Sequence, residues 1–121
     1  MDERIQDALR NGRTIDITTT GRASGVASRK QIWFHNIEDD IYITGTPGPR
    51  DWYANVLANP KFTFHLKEGA QADLAARARP ITDDTEKREV LTTILQRLER
   101  SDQLDTWVAR SPLIQVEFDE R

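Results

Sequence analysis

Two short stretches of this chain gather the residue types that hold an anionic, ring-bearing ligand. The first, Gly21 to Lys30, sets Arg22, Arg29 and Lys30 among the hydroxyls of Thr20, Ser24 and Ser28, with Gly21 and Gly25 bracketing the turn. Glycines expose backbone N–H groups, and guanidinium and ammonium groups add charge-assisted donors, a set suited to a phosphate or carboxylate. An ordinary solvated basic turn has the same composition, and the spacing matches neither a Walker loop nor a dinucleotide fingerprint. The second stretch, Thr44 to Asn55, runs through Gly45-Thr46-Pro47-Gly48-Pro49 into a segment headed by Arg50, Asp51, Trp52 and Tyr53. A flat heterocycle can lie against such a strand end, with a helix N-terminus near its polar edge. Equally, Trp52 and Tyr53 can simply pack a helix on the core, and both readings stand at this point.

Other chemistries lack their residues. Cysteine is absent, which removes disulfides, thiolate nucleophiles and cysteine metal sites. The two histidines, His35 and His65, stand thirty residues apart with no acidic residue at metal-ligand spacing, so no metal site is expected. No Ser-His-Asp or paired-carboxylate constellation can be placed from the sequence. A net charge of −3 opposes non-specific binding to nucleic acid, which requires a basic surface to displace counterions. With 37% hydrophobic and 31% charged residues and no apolar run near the roughly 20 residues of a membrane-spanning helix, the 121 residues are expected to form one domain, 1–121, without a transmembrane segment. The charged stretch Met1 to Gly12 does not resemble a secretory signal, and a cytoplasmic location is expected.

The elements that must position these stretches follow from periodicity. Ile5, Ala8 and Leu9 form a short helical stripe ended by Asn11-Gly12. Thr14 to Thr20 alternates as a half-buried strand, Ser28 to Ile37 is a second strand with rings on both faces, and Ile41 to Thr44 pairs with it as a hairpin. Asp51 is placed to cap a helix to Asn59, with Trp52, Val56 and Leu57 on its buried stripe. In Lys61 to Lys67, Phe62, Phe64 and Leu66 face in while Thr63 and His65 face out, and Ala70 to Arg79 follows as a strand with small residues on one face. Asp83 to Arg100 carries the strongest helical stripe, with a capping-box pattern at Asp83 and Glu86. A short helix or loop around Trp107 and a last strand from Ser111 to Phe118 complete the chain. Six strands and one long helix before the last strand predict a mainly β fold with helices, a small closed or partly open barrel.

Together the two chemical stretches carry a resemblance. Thr18-Thr19-Thr20-Gly21-Arg22-Ala23-Ser24-Gly25, then Ile32-Trp33-Phe34, then Asp51-Trp52-Tyr53-Ala54-Asn55-Val56-Leu57-Ala58-Asn59-Pro60 resemble the TTxGRxSG and WYxNLxANP motifs of the deazaflavin-dependent nitroreductase family. The resemblance implies a six-stranded split β-barrel of the FMN-binding type that binds coenzyme F420, a deazaflavin with a phosphate and polyglutamate tail. It implies an oxidoreductase that delivers hydride from the reduced cofactor to a nitroaromatic, quinone or other conjugated acceptor. Arg22, Ser24, Gly25, Ser28, Arg29 and Lys30 would hold the phosphate and tail, with Arg50 on the facing loop. Ile43, Thr44 and Gly45, with Trp52, Tyr53 and Asn55, would border the ring.

Three positions depart from the family pattern: Ala23 and Ser28 stand where basic residues are frequent, and Gln31 where proline is. The thinner charge leaves FMN as an alternative cofactor, and a non-catalytic carrier of a fatty acid, tetrapyrrole or FMN as an alternative function. Because the cofactor does the redox chemistry, no protein nucleophile is required. Tyr53 is the candidate catalytic hydrogen-bond donor, with a packing role as its competitor, and Trp33 and Trp107 are candidate walls of an acceptor pocket. The two-sided aromatic strand at Trp33 to His35 suggests a homodimer.

Overall fold

The computed structural model describes residues 1–119. One antiparallel sheet of seven strands runs β2-β1-β5-β6-β7-β4-β3, with β1 at Thr14–Thr20, β2 at Ala27–Trp33, β3 at His35–Ile37, β4 at Asp40–Thr44, β5 at Lys61–Leu66, β6 at Ala72–Pro80 and β7 at Leu113–Phe118. The strand expected from Ser28 to Ile37 is two strands, which is why there are seven rather than six. Up to Trp33 the chain pairs with β1; from His35 it pairs with β4. At the break, buried Phe34 donates its N–H to the Arg13 carbonyl at 2.9 Å. Trp33 and His35 thus sit at opposite edges of one sheet, yet two residues of chain span at most about 7 Å. The sheet must therefore curl until its edges meet, which makes it a barrel split along that seam.

Alternation fills the barrel. Ile15, Ile17, Ile41, Ile43, Phe62, Phe64, Leu66, Ala76, Ala78, Ile114 and Val116 form the inner cluster. Helix α1, Glu3–Asn11, adds Ala8 and Leu9 to it, and helix α2, Asp51–Ala58, adds Trp52 and Val56. A second core lies outside β4 and β7, where Tyr42, Ile81 and Leu113 meet Val90, Leu91, Ile94 and Leu95 of α3, Asp84–Arg97, and Trp107 and Val108 of α4, Leu104–Arg110. Strand β4 is covered on both faces, so its Ile41-Tyr42-Ile43 run is continuous rather than alternating.

Several local expectations change. Helix α2 begins at Asp51 rather than after it, and no side chain caps it. Its buried face is Trp52, Asn55 and Val56, the i, i+3, i+4 set, whereas Leu57 is 51% exposed. Asp83 caps α3 by accepting the Glu86 N–H at 2.9 Å, but the reciprocal half of the capping box is not made. Glu86 instead takes Arg79 of β6, with contacts of 3.2 and 2.6 Å. Helix α3 stops at Arg97 rather than Arg100, because Glu99 adopts φ 58° and Arg100 N–H reaches back to Leu95 O at 2.8 Å. That is a Schellman closure built without the glycine that would have advertised it. The last strand begins at Leu113, leaving Ser111 and Pro112 as a buried link after α4. Among the described residues no helix is long and apolar enough to cross a membrane.

Candidate functional site

The Gly21 turn is held to α2. Gly21 N–H bonds Val26 O at 2.9 Å, Ser24 Oγ accepts the Val26 N–H at 3.1 Å, and Gly25 takes φ 70°, the left-handed region open to glycine. A Cβ on Gly21 would meet Ser24 Oγ at 2.6 Å, so the turn closes too tightly for a side chain there. Arg22 reaches back: its backbone N–H and its Nη1 both donate to Asn55 Oδ1, at 3.1 and 2.9 Å, and its Nη2 lies 3.4 Å from Asp51. Buried Asn55 in turn donates to Thr19 Oγ1 at 3.2 Å. The two motifs recognised separately in the sequence are therefore one hydrogen-bonded unit, with Arg22 as its bolt rather than a free anion clamp.

Strand register divides the basic residues. Thr19 pairs with Ser28 and Ile17 with Lys30, so Ser28 and Lys30 share the face of the buried Ile17 and Thr19. Arg29 points the other way, where its Nε donates to Asp16 at 2.9 Å while Lys67 Nζ donates to the same carboxylate at 2.8 Å. These cations hold the Asp16 carboxyl below its usual range, Lys67 first and Arg29 second. Lys30 has no ion-pair partner among the described residues, which leaves it, beside the Ser28 hydroxyl, as an exposed charge on the face that carries Ile17 and Thr19.

Beyond β4, the Gly/Pro loop folds around Arg50. Its guanidinium donates to Thr46 O at 2.9 Å, to Thr46 Oγ1 and to Pro49 O at 3.0 Å, so Arg50 orders its own loop. Thr44 Oγ1 donates to Pro112 O, and a Cβ on Gly45 would lie 3.5 Å from Arg50 Nε. Ile43 and Trp52 are sealed in the core, 0% and 3% exposed. Tyr53 stands edge-on to Trp52, ring centres 5.8 Å apart, and opens into a cleft of about 570 Å³ between the loop and the α4–β7 link. Gly48, Pro49, Lys87, Ala109, Arg110, Ser111 and Pro112 complete its walls. Ser111 Oγ is buried without a hydrogen-bond partner among the described residues, an arrangement that costs free energy unless a ligand or water completes it. Burial pushes the Tyr53 hydroxyl above its usual range and pulls the Lys87 ammonium below its own, the latter partly offset by Asp84.

The cleft thus offers two cations, a phenol and an orphan hydroxyl beside glycine-rich backbone, a donor set that fits a polar, anionic heterocycle. Of the residues singled out in the sequence, Tyr53 lines it, and Arg50, Gly45 and Thr44 shape its loop. Ser111, Lys87 and Arg110 were missed, because they come from segments that look like ordinary helix and turn. Trp107 does not line it: its carbonyl accepts the Ser111 N–H at 2.8 Å, but the ring turns into the second core, 2% exposed, where its Nε1 donates to Gln103 at 3.1 Å. Trp33 is 45% exposed at the end of β2 with the Arg13 guanidinium over its ring at 4.7 Å.

One constellation unplaceable from sequence does form. His65, outward on β5 as expected yet only 7% exposed, has Nδ1 2.7 Å from Asp73 Oδ1 and Nε2 2.7 Å from Thr18 Oγ1. The ionised carboxylate accepts only, so Nδ1 donates to it, and in the neutral ring Nε2 then accepts from Thr18. Thr18 sits in mid-strand, where its neighbouring amides belong to the ladder rather than to an oxyanion site. The chain satisfies a buried histidine.

Residues 3–119 match the family model described as F420H(2)-dependent quinone reductase. The chain belongs to that family. The expected deazaflavin dependence is borne out by the family's description. No protein of curated function matches the chain in sequence. Solved structures match it in fold: a conserved hypothetical protein of Mycobacterium tuberculosis (TM-score 0.75, 18% identity, covering 99% of this chain and 82% of that one) and an FAD-binding protein of Mesorhizobium loti (0.71, 12%, 99% and 91%). A protein named F420 reductase matches with TM-score 0.65 and 18% identity, covering 95% of this chain and 93% of that one. At these identities the likeness is one of fold, and it bears out the split barrel.

Proposed function

We propose that this member of the F420H2-dependent quinone reductase family transfers hydride from reduced F420 to a quinone-type acceptor. Family membership over residues 3–119 carries the reading. The reduced deazaflavin, when bound, supplies the hydride. The chain's own residues bind and orient. Lys30 and Ser28, on the face they share with Ile17 and Thr19, and the amides of the Gly21 turn, with Ser24 and Gly25, are placed to hold the anionic tail. Arg22 and Arg50 act one step back, fixing the turn and the Gly45–Pro49 loop. Ser111 Oγ supplies a hydrogen bond to a carbonyl or ring nitrogen in the cleft, and Lys87 and Arg110 favour negative charge there. Tyr53, a protonated phenol whose pKa burial raises further above its usual range, donates a hydrogen bond to the acceptor.

The alternative of a passive carrier is not favoured by the family. The outer faces of β1, β5 and β6 form a groove of about 630 Å³ around Thr18, Thr63, Ala75 and Arg77; with exposed Trp33, it supports a homodimer as the working assembly. The decisive assay mixes purified protein, F420H2 and menadione. Accelerated reoxidation of F420H2 over the protein-free control is expected, and none with any quinone or nitroaromatic would overturn the reading. Replacing F420H2 by reduced FMN separates the two cofactors.

A further inference from the structure

At the end of the barrel opposite the Gly21 turn, α1, the Gly12-Arg13 link, β3 and the end of α3 enclose a cavity of about 140 Å³. Arg10, Arg13 and Arg97 line it with His35 and Asn36, and no carboxylate is among its walls. The three cations differ in how they are compensated. Arg10 donates from Nε to Asp39 at 3.1 Å. Arg13 lies over the Trp33 ring, and Arg97 donates to the Asn36 carbonyl at 2.6 Å. Neither Arg13 nor Arg97 has an ion-pair partner among the described residues, so two full charges converge on one polar cavity. Bulk charge does not explain this, since the chain carries −3 overall. We propose that this cavity binds a small oxyanion, a phosphate or carboxylate group held between Arg13 and Arg97 with the His35 ring as a further donor.

Three considerations give the site its character. Arginine presents a planar fork that matches oxyanions with two parallel hydrogen bonds. The walls already hold the cations in place, through Trp33 for Arg13 and the Asn36 carbonyl for Arg97, so binding orders little further chain. His35 is a built-in reporter: burial, then Arg97 and Arg13, push its imidazole down to about 4, and an anion between those cations reverses their effect. The charged groups around it are Arg10 of α1, Arg13, Arg97 of α3 and, through Arg10, Asp39 of the β3–β4 turn and Asp7 of α1. The site is separate from the proposed cofactor tail, because the seven residues of β1 between Arg13 and Gly21 span roughly 20 Å.

The test follows the His35 ring protons by NMR across pH in chloride, inorganic phosphate and glutarate at matched ionic strength. Saturable binding with the His35 midpoint raised by about one unit or more is expected in phosphate, glutarate or both, and which of them acts identifies the head group. Arg97→Gln is expected to weaken that binding about tenfold while F420 affinity stays unchanged; Arg97→Lys, which keeps the charge, is expected to lose less. A His35 titration identical in all three salts would overturn the proposal, as would a shift that Arg97→Gln and Arg97→Lys leave intact.

Discussion

Asn55 Oδ1 accepts two hydrogen bonds from the same residue, one from the backbone N–H of Arg22 and one from its guanidinium. The side-chain amide also donates to Thr19, so one buried residue of α2 joins the helix to β1 and to the turn after it. Asn55→Ala strips partners from buried polar groups and is expected to cost roughly 1–3 kcal/mol, read by urea denaturation. Arg22→Ala is expected to lower both stability and F420 affinity. A loss of affinity with unchanged stability would return Arg22 to the role of a direct anion ligand.

Ser111 separates a structural from a binding role by the sign of two measurements. Its hydroxyl is buried without a partner, so Ser111→Ala removes an unsatisfied group and is expected to leave stability unchanged or slightly higher. If the hydroxyl serves a ligand in the cleft, the same variant weakens that ligand by about three- to tenfold. A stability loss of roughly 2 kcal/mol with unaltered ligand binding would place an unseen partner on Ser111 and remove it from the site.

Trp107 is a packing residue. Its ring fills the core between α3, α4 and β7, and Trp107→Ala is expected to cost about 3–5 kcal/mol by opening a cavity. Trp107→Phe, with a smaller void, should fold and keep the acceptor KM of the unaltered enzyme. A raised acceptor KM in the phenylalanine variant would restore Trp107 to the pocket.

What could be read in the sequence was what depends on local pattern. Alternation placed Ile15, Ile17, Phe62 and Phe64 in the core, and the stripe of α3 placed Val90 through Leu95. What escaped depends on contacts distant in the chain. Nothing local in Trp33-Phe34-His35 announces that the strand leaves one sheet edge for the other, because the break is imposed by Arg13 and β4. Leu57 looked inward because it is apolar, whereas the polar Asn55 took the buried face, having Arg22 and Thr19 to satisfy it. Site residues followed the same division: Tyr53 lay inside a motif, while Ser111 became notable only once α4 and the Gly48 loop closed around it.

His35 gives the protein an acid-sensitive stability with a defined window. Burial, Arg97 and Arg13 hold its folded midpoint at about 4, against 6.5 for an ordinary histidine. Between these values the unfolded chain binds a proton that the folded one refuses, so stability is full above about pH 6.5 and falls as pH drops toward 4. The difference corresponds to a loss on the order of 3 kcal/mol across the window. The perturbed carboxylates do not blur it. Asp16, Glu68, Asp73 and Glu86 all lie below their ordinary range, held there by Lys67 and Arg29, by the Thr14 and Arg13 amides, by the hydrogen bond from His65, and by Arg79 respectively. Stability from such groups is present above the ordinary carboxylate pKa and is lost only as pH falls below it, beneath most of the histidine's window. Urea denaturation of the native chain at pH 7.5, 6, 5 and 4.5 is expected to show the decline beginning near 6.5. His35→Gln, which cannot titrate, should hold a flat profile down to about pH 5. Equal slopes in the two proteins would show that the proton is taken up elsewhere.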